Sequence, residues 1–298
     1  MPSLRARLAN LAARLLVKRV LNKREFSLAA TRRAMASRTM MPALLPRGLH
    51  VTTSHEAPLP GEWQRPTQAA TDAVILFLHG GGYVAGSPKT HRSFSSWLAQ
   101  EAQVPAFSLA YRLAPEHPFP AALDDAVLAA RTLAARGLRI VLAGDSAGAG
   151  LAIATALKLR DDAAALVSGL ALICPLTDLT ETSESLRTNE HSEPLLGLRH
   201  RERVLSSYAA ATPLTNPYLS PVYAALAGLP PMIVEASRSE VLWDDARRFV
   251  DAARRDGCDV QFHPHDDLGH DWQLMVPITP ESVASTARLG AWIRARLA

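Results

Sequence analysis

Apolar residues recur along most of the chain in two alternating patterns. Residues 73–78 and 169–175 are continuous apolar runs, which are typical of parallel strands covered on both faces. Residues 121–136 and 147–160 are instead Ala/Leu-rich segments of helical length. This alternation of strands and helices predicts an α/β fold, with a mostly parallel central sheet flanked by helices.

The same alternation extends to both sides of these segments. Further strands are predicted at 104–109, 139–143, 231–236 and 259–263, and further helices at 91–102, 244–256 and 281–297. Residues 54–71 are polar and contain proline, so they interrupt the pattern. Residues 177–220 interrupt it again, because they are polar and Ser/Thr-rich, with one helical pattern near 198–211. We expect this second segment to be an insertion above the sheet rather than a new domain.

The first 45 residues are predicted to form one or two helices, with breaks near Met41-Pro42 and at residues 46–48. Their leucines recur at amphipathic-helix spacing and are interrupted by arginines: Leu4, Leu8, Leu11 and Leu15, with Arg5, Arg7 and Arg14. We expect this helix to pack its leucine stripe on the body of the protein. A transit peptide and a helix lying on a membrane surface are the alternatives.

Positive charge is concentrated at the N-terminus. Residues 1–40 contain ten Lys or Arg and one acid, Glu25, which gives +9. The whole chain carries +4, so the remaining 258 residues sum to about −5. The main body therefore lacks the basic surface that nucleic-acid binding requires, and no nucleic-acid partner is expected.

No membrane span, secretory signal or metal site is predicted. The chain has no run of about 18 or more apolar residues and no apolar signal-peptide core. Cys174 and Cys258 lie far apart and form no CxxC pair or zinc-like spacing with histidine. Two unpaired thiols in a reducing compartment are expected, with a single disulfide as the alternative. These features favour a cytoplasmic protein without a cofactor.

Residues 144–148, Gly-Asp-Ser-Ala-Gly, match the G-x-S-x-G pattern of a nucleophile elbow. The match lies between a predicted strand and a predicted helix, which is the context that this turn needs. Glycines flank the serine because side chains there would collide in so sharp a turn, and the helix N-terminus favours a developing oxyanion. Ser146 is therefore the candidate nucleophile. The alternative is a chance match in an Ala/Gly-rich helix start.

A second glycine-rich motif, His-Gly-Gly-Gly at residues 79–82, stands at the end of a predicted strand. Consecutive glycines let the backbone approach a substrate, and their N–H groups can point at a carbonyl oxygen. The N–H groups of Gly81, Gly82 and Ala147 are thus the candidate oxyanion hole. A flexible turn or a phosphate-binding loop is the alternative, although the G-x-G-x-x-G spacing is absent.

Four motifs together resemble the hormone-sensitive-lipase-like branch of the α/β hydrolases, which is found widely as bacterial carboxylesterases. They are HGGGY at 79–83, YRLAPEHPFPA at 111–121, GDSAG at 144–148 and NPYLSP at 216–221. The resemblance covers residues 73–298. It implies a catalytic domain at 46–298 and a helical cap, which residues 1–45 and an insertion at about 180–215 would form. It also implies that residues 111–121 are structural, and that homodimers form through the last strand.

The acid of a serine triad in this fold comes between the serine and the histidine. Four carboxylates follow or end the strand predicted at 231–236: Glu235, Glu240, Asp244 and Asp245. The family's pattern, an acid followed by x-Leu-x-Asp, is similar to residues 240–244 and assigns Glu240 to the catalytic position. Most family members carry aspartate there. Asp244, whose position also suits a helix-capping acid, is the alternative.

Three histidines compete for the role of the base: His263, His265 and His270. His263 and His265 flank Pro264 at a predicted strand end. His270 lies on a loop before the final helix, as the histidine of the family does. His270 is therefore the candidate base, because a serine triad needs a histidine after the acid.

These residues predict a serine esterase that works through an acyl-enzyme, and the resemblance implies a carboxylesterase that cleaves short- to medium-chain acyl esters of small molecules. An amidase or lactonase with the same triad is an alternative, since these residues do not distinguish the substrates. A non-catalytic binding protein on this fold is another. A further alternative is a lipase docked on a membrane through its basic N-terminus.

Overall fold

The structure is a computed structural model that describes residues 1–19, 22, 25, 27–36, 43–55, 60–70, 72–197 and 199–298. The break expected at Met41-Pro42 lies outside these residues, as does the first residue of the helix predicted at 198–211. No helix among the described residues is both long enough and apolar enough to cross a membrane.

Eight strands of the described chain form one sheet. They are β1 Leu49–Ser54, β2 Gly61–Pro66, β3 Ala73–Leu78, β4 Ala106–Leu109, β5 Arg139–Asp145, β6 Val167–Ile173, β7 Met232–Ser237 and β8 Val260–His265. Their order is β1-β2-β4-β3-β5-β6-β7-β8. The β1–β2 and β2–β4 pairs are antiparallel and all other pairs are parallel. The predicted α/β class with a mostly parallel sheet is confirmed.

Helices connect the strands and cover both faces of the sheet. They are α1 Leu4–Ala13, α2 Leu28–Ala36, α3 Pro88–Ala102, α4 Ala121–Ala135, α5 Ala147–Asp161, α6 Ser185–Thr188, α7 Arg201–Ala209, α8 Trp243–Arg255 and α9 Pro280–Arg296. A π-helical segment, Arg14–Lys18, continues α1, and short 3₁₀ helices span Pro221–Tyr223 and Trp272–Met275. For each helix predicted from residue 91 onward, both the first and the last residue lie within three residues of the observed helix bounds.

The central strand β3 shows why the apolar runs are continuous. Val74, Leu76 and Leu78 belong to the core that includes buried residues of α4 and α5. Ile75 and Phe77 point to the opposite core, with α3 and α9. Successive side chains of a strand point to opposite faces, so a sheet covered on both faces needs apolar residues at every position.

The structure differs from the sequence prediction at residues 54–71, where β2 forms. This strand is polar, but Glu62 is buried in an ion pair with Arg92, whose Nε lies 2.8 Å from Glu62 Oε2. Ser108 Oγ of the adjacent strand donates to Gln64 Oε1 at 3.3 Å. The polar side chains are compatible with burial because α3 and β4 supply their partners.

The leucine stripe of α1 does not pack on the body, so that prediction is wrong. Leu4, Leu8 and Leu11 are 63%, 56% and 52% exposed, whereas Ala6 on the opposite face is buried. Polar contacts hold the helix, since Ser3 Oγ donates to Glu281 Oε2 at 2.9 Å. The small side chain of Ala6 lets the backbone of α1 approach α9 closely, and the bulky leucines remain outside.

Candidate active site

Ser146 stands at the sharp turn between β5 and α5. Its φ is +55°, in the left-handed region that a non-glycine residue rarely adopts. Gly148 makes the turn possible, because a Cβ at this position would collide with the carbonyl oxygen of Leu78. The nucleophile candidate lines a cavity, although only 8% of its surface is exposed.

The structure brings Ser146, His270 and Glu240 together, although they come from three separate loops. His270 Nε2 lies 2.9 Å from Ser146 Oγ. The other ring nitrogen, Nδ1, lies 2.5 Å from Glu240 Oε2. All three side chains are buried. The geometry allows the serine proton to pass to an imidazole whose orientation and tautomer a carboxylate fixes.

The other candidate acids are engaged elsewhere. Glu235 accepts from Gln273 Nε2 at 3.1 Å and pairs with Arg288 Nη1 at 2.9 Å. Asp244 lies in the first turn of α8 and accepts the backbone N–H of Ser185 at 2.9 Å. Asp245 accepts the backbone N–H groups of the chain at 177–178. Of the four candidates, Glu240 is the one that contacts His270.

The two other candidate histidines lie away from the serine. His265 Nε2 is 3.9 Å from Glu235 Oε2, and its ring packs against Trp272. Burial lowers the pKa of both His263 and His265. Their position at the end of β8 makes them part of the sheet edge rather than of the site around Ser146.

Glu193, which sequence reasoning missed, holds the backbone of the histidine. Its Oε2 accepts the N–H of His270 at 3.3 Å, and its Oε1 accepts the N–H groups of Leu195 and Leu196 at 2.6 and 3.2 Å. Burial raises the pKa of Glu193, while the charge of His270 opposes the increase. Glu193 lies in the insertion, 77 residues before its partner, so its spacing gives no signal in the sequence.

Lys18 connects the N-terminal segment to the same loop. Its Nζ donates to the carbonyl oxygens of Glu190 and Glu193 at 2.6 and 2.7 Å. Burial lowers the pKa of Lys18, and the nearby Glu193 opposes this. The N-terminal segment therefore binds the loop at 190–193, which contains Glu193, the residue that accepts the backbone N–H of His270.

Asp271 is a second missed residue, and its carboxylate lies beside the same imidazole nitrogen as Ser146 Oγ. Its Oδ2 lies 3.0 Å from His270 Nε2, while its φ of +53° places it in the left-handed region. Burial, with a contribution from Asp145, raises the pKa of Asp271 to about 6. The sequence shows an aspartate next to the candidate base, but not that its side chain turns back onto Nε2.

The pKa of His270 reflects this surrounding charge. Burial alone lowers the pKa, but the carboxylates of Asp271 and Glu240 outweigh it and hold the value well above the ordinary range for histidine. The two carboxylates face opposite ring nitrogens, so both favour the protonated imidazolium.

The glycine-rich loop after β3 is fixed by the elbow itself. Asp145 Oδ1 accepts the N–H of Gly80 at 3.1 Å, so this N–H is already committed. Gly81 and Gly82 follow with φ values of +126° and +63° and line the cavity beside Ser146. Ala147 begins α5, and the first N–H groups of a helix have no acceptor within it. The three candidate oxyanion donors thus lie on the two segments that flank the serine.

Residues 111–121 support this loop from outside the cavity. The Tyr111 hydroxyl donates to the carbonyl oxygen of His79 at 2.6 Å, and the two rings stack with centroids 4.3 Å apart. His79 in turn stacks on His91, whose Nε2 lies 3.2 Å from Asp145 Oδ2. Burial lowers the pKa of His79 to about 3, so it is neutral. These contacts agree with a structural role.

A cavity of about 170 Å³ opens over the serine. Its apolar wall comes mainly from outside the sheet, from the N-terminal segment and the insertion: Val17, Met35, Leu195, Leu196, Val204 and Leu205. Ser146, His270 and Asp271 form its polar floor. An apolar pocket with a few convergent polar groups is the usual form of a small-molecule site.

One group among the described residues brings potential metal ligands together: Cys174, Glu240 and His270. Burial raises the pKa of the Cys174 thiol well above its usual value, so it is not a thiolate. Glu240 and His270 are already bonded to each other. Cys174 and Cys258 are both free, as expected from their separation. The donor set of this group is therefore poorly suited to a metal ion.

Comparison with known proteins adds sequence and fold relationships. A family profile described as the alpha/beta hydrolase fold matches residues 75–274. The chain is 39% identical over 253 residues to an acetyl-hydrolase of Streptomyces hygroscopicus, covering 84% of this chain and 83% of the relative. It is 36% identical over 157 residues to the hormone-sensitive lipase of Homo sapiens, covering 50% of this chain and 15% of the lipase.

A solved structure shows the same family relationship. An esterase from the bacterial hormone-sensitive lipase family is 34% identical to this chain and superposes with a TM-score of 0.93. The superposition covers 100% of both chains. The similarity therefore includes the N-terminal segment and the insertion as well as the sheet.

Proposed function

Because this chain belongs to the alpha/beta hydrolases, in their hormone-sensitive-lipase-like branch, it is a carboxylic ester hydrolase, and we propose that Ser146, His270 and Glu240 form its catalytic triad. The observation that carries the proposal is the continuous chain of contacts from Ser146 Oγ through the imidazole to Glu240 Oε2. A serine, a histidine and a carboxylate in this arrangement are what nucleophilic acyl transfer requires.

The first half of the reaction acylates the serine. Ser146 Oγ attacks the ester carbonyl carbon while His270 Nε2 takes the hydroxyl proton, and Glu240 stabilises the imidazolium that results. The negative charge on the carbonyl oxygen is held by the N–H groups of Gly81, Gly82 and Ala147. The bond between the carbonyl carbon and the alcohol oxygen then breaks, and His270 donates its proton to the departing alcohol.

The second half releases the acid by the same steps with water. His270 removes a proton from a water molecule, and the resulting hydroxide attacks the acyl carbon. The oxyanion donors stabilise the second tetrahedral intermediate, and collapse returns the proton to Ser146 Oγ. Apart from the ester and the water molecule, these steps use only groups of the chain itself.

The cavity favours short- to medium-chain acyl groups. Its volume of about 170 Å³ is small, and apolar side chains such as Leu196 and Val204 form its wall. An apolar wall suits an acyl chain, while the limited volume disfavours long ones. The name of the Streptomyces relative, acetyl-hydrolase, fits the short end of this range.

The N-terminal segment and the insertion act as a cap in this proposal. Val17 and Met35 from residues 1–45, with Leu196 and Val204 from about 180–215, line the cavity over the catalytic domain at 46–298. Such a cap keeps bulk water from the acyl-enzyme and sets the size of the acyl group.

Hydrolysis of p-nitrophenyl acetate, butyrate, octanoate and dodecanoate tests the function. The wild type is expected to prefer the shorter esters, and Ser146→Ala is expected to lower kcat by several orders of magnitude, about 10⁶-fold in a comparable serine hydrolase. Ser206→Ala, at an exposed position of α7, is the matched control and should keep full activity. Turnover by Ser146→Ala near the wild-type rate would refute the triad.

Matched amide substrates distinguish esterase from amidase activity. The same acyl groups presented as p-nitroanilides are expected to react much more slowly than the esters. A wild type that is inert on every ester but cleaves the anilides would assign the triad to an amidase. A protein inert on both would favour a binding role on this fold.

A further inference from the structure

The exposed leucines of α1 form one continuous stripe on the solvent side of the helix. At about 100° per residue, Leu4, Leu8 and Leu11 fall within about 60° of one another around the helix axis. Each of these residues is more than half exposed. Leu15, on the π-helical continuation, is exposed as well. A folded protein rarely leaves a row of leucines uncovered on one face.

Arginines lie on both sides of this stripe. Arg5 is about 100° from Leu4 on one side, and Arg7 is about 60° from Leu4 on the other. Both side chains are exposed. Of the five Lys or Arg in residues 1–19, Arg14 and Lys18 instead donate to backbone carbonyls of the loop at 190–193, so Arg5 and Arg7 are the cations beside Leu4, Leu8 and Leu11. An apolar stripe flanked by basic residues is the pattern of a helix that lies in a lipid interface.

The helix is fixed with the stripe facing outward. Ala6 is buried against the body, and Ser3 donates to the carboxylate of Glu281. Further along, Asn10 Nδ2 donates to the carbonyl oxygen of Asp267 at 3.4 Å. Turning the leucines inward would break these contacts, so the stripe faces outward in the folded chain.

The apolar surface continues onto the neighbouring loop. Ile278 is 45% exposed, and its carbonyl oxygen accepts a bond from Arg5 Nη1 at 3.4 Å. This contact places the isoleucine next to the first turn of α1. The stripe and Ile278 together make a surface of exposed apolar side chains bordered by positive charge.

From these observations we propose that the solvent face of α1 is a docking surface for an anionic lipid membrane. Leu4, Leu8 and Leu11 enter the boundary between headgroups and acyl chains, and the flanking arginines bind the lipid phosphates. A second copy of the chain suits the surface poorly, because pairing two such faces would bring arginines against arginines with no acidic residue of the segment to neutralise them.

Vesicle sedimentation with the full-length chain tests the proposal. Vesicles of phosphatidylcholine with phosphatidylglycerol are expected to bind the protein, and vesicles of phosphatidylcholine alone are expected to bind it much less. Raising the salt concentration should release the protein, because exposed charges are screened. Ser146→Ala protein should bind equally, which separates docking from the proposed esterase activity.

Two double variants test the named residues. Leu8→Ser/Leu11→Ser is expected to weaken vesicle binding by roughly tenfold or more, because two leucine side chains are no longer transferred from water into the membrane. Arg5→Gln/Arg7→Gln should lose the preference for anionic vesicles. Leu128→Ser removes a leucine that is 46% exposed from α4, away from the stripe, and is the control. Hydrolysis of a soluble ester at the wild-type rate verifies that each variant is folded.

Three results would overturn the proposal. The first is a wild type that stays in the supernatant with anionic vesicles. The second is binding that Leu8→Ser/Leu11→Ser leaves unchanged. The third is a dimer, measured by light scattering, that the same double variant converts to a monomer, since a second copy would then cover the stripe.

Discussion

Asp271 Oδ2 lies 3.0 Å from His270 Nε2, the same nitrogen that lies 2.9 Å from Ser146 Oγ. His270 Nε2 therefore has two neighbours. In the proposed mechanism Ser146 supplies a proton to this nitrogen, and the Asp271 carboxylate stabilises the imidazolium that forms. An ionised Asp271 stabilises the imidazolium, which helps the transition state but also keeps the free base protonated to higher pH.

Asp271→Asn is expected to move the acid limb of the kcat/KM pH profile to lower pH. The base must be neutral to accept the serine proton, and Asp271 is the leading contribution that raises the pKa of His270. Glu240 still contacts the other ring nitrogen and Asp145 is still next to the site. The change in the pKa of His270 therefore measures the effect of the Asp271 carboxylate alone. The measurement is the pH profile on a soluble ester.

Asp267→Asn is the matched control for this experiment. Asp267 lies in the same loop with φ +58°, but its side chain is exposed. Asparagine tolerates the left-handed region as aspartate does, so the backbone is preserved in both variants. An unchanged acid limb in Asp271→Asn, or an equal shift in Asp267→Asn, would contradict the role assigned to Asp271.

Glu240→Gln is expected to lower kcat by about 10⁴-fold, as removal of the charge from a triad acid does elsewhere. The glutamine keeps the shape but no longer stabilises the imidazolium or fixes the tautomer. Asp244→Asn should instead keep kcat and slightly lower thermal stability, because the neutral amide no longer pairs with Arg247 or complements the N-terminus of α8. The steady-state kinetics of both variants decide between the acids, and the opposite result would assign the role to Asp244.

Glu193→Gln is expected to lower kcat by about tenfold while KM changes little. The amide oxygen can still accept from Leu195 and Leu196, but the amide NH₂ then faces the N–H of His270, donor against donor. An unpaired buried donor also costs about 1–3 kcal/mol of stability.

Glu190→Gln is the control for that variant, since the Glu190 side chain is exposed on the same loop. Kinetics and thermal unfolding are measured on both proteins. A Glu193→Gln enzyme with lower stability but wild-type kcat would show that Glu193 supports only the fold and not the position of His270.

Gly148→Ala is expected to prevent correct folding of the elbow. Its Cβ would collide with the carbonyl oxygen of Leu78, a backbone atom in the central strand that cannot move aside. Gly257→Ala is the comparison, because a Cβ at this position would have no neighbour within 4 Å. The only cost there is backbone strain, since alanine rarely adopts the φ of +80° found at Gly257. That strain costs about 1–2 kcal/mol. Thermal unfolding and ester turnover measure both, and a stable, active Gly148→Ala protein would be the contrary outcome.

The local motifs determined much of the site without the structure. The elbow at 144–148 and the glycines at 79–82 each impose one backbone path, because only small residues fit turns so close to neighbouring strands. The continuous apolar runs likewise indicate a sheet covered on both faces. The order of the chain left four acids and three histidines as candidates, the family resemblance selected Glu240 and His270, and the structure brings both to Ser146.

The tertiary structure decided what depends on distant partners. The polar strand β2 forms because Arg92 and Ser108 supply contacts to its side chains, and no local pattern shows them. Asp271 turns onto His270, and Glu193 reaches it across 77 residues, for the same reason. The sequence of α1 shows two distinct helix faces but not which one lies inside. That choice depends on the surface it meets, which accommodates Ala6 and leaves the leucines in solvent.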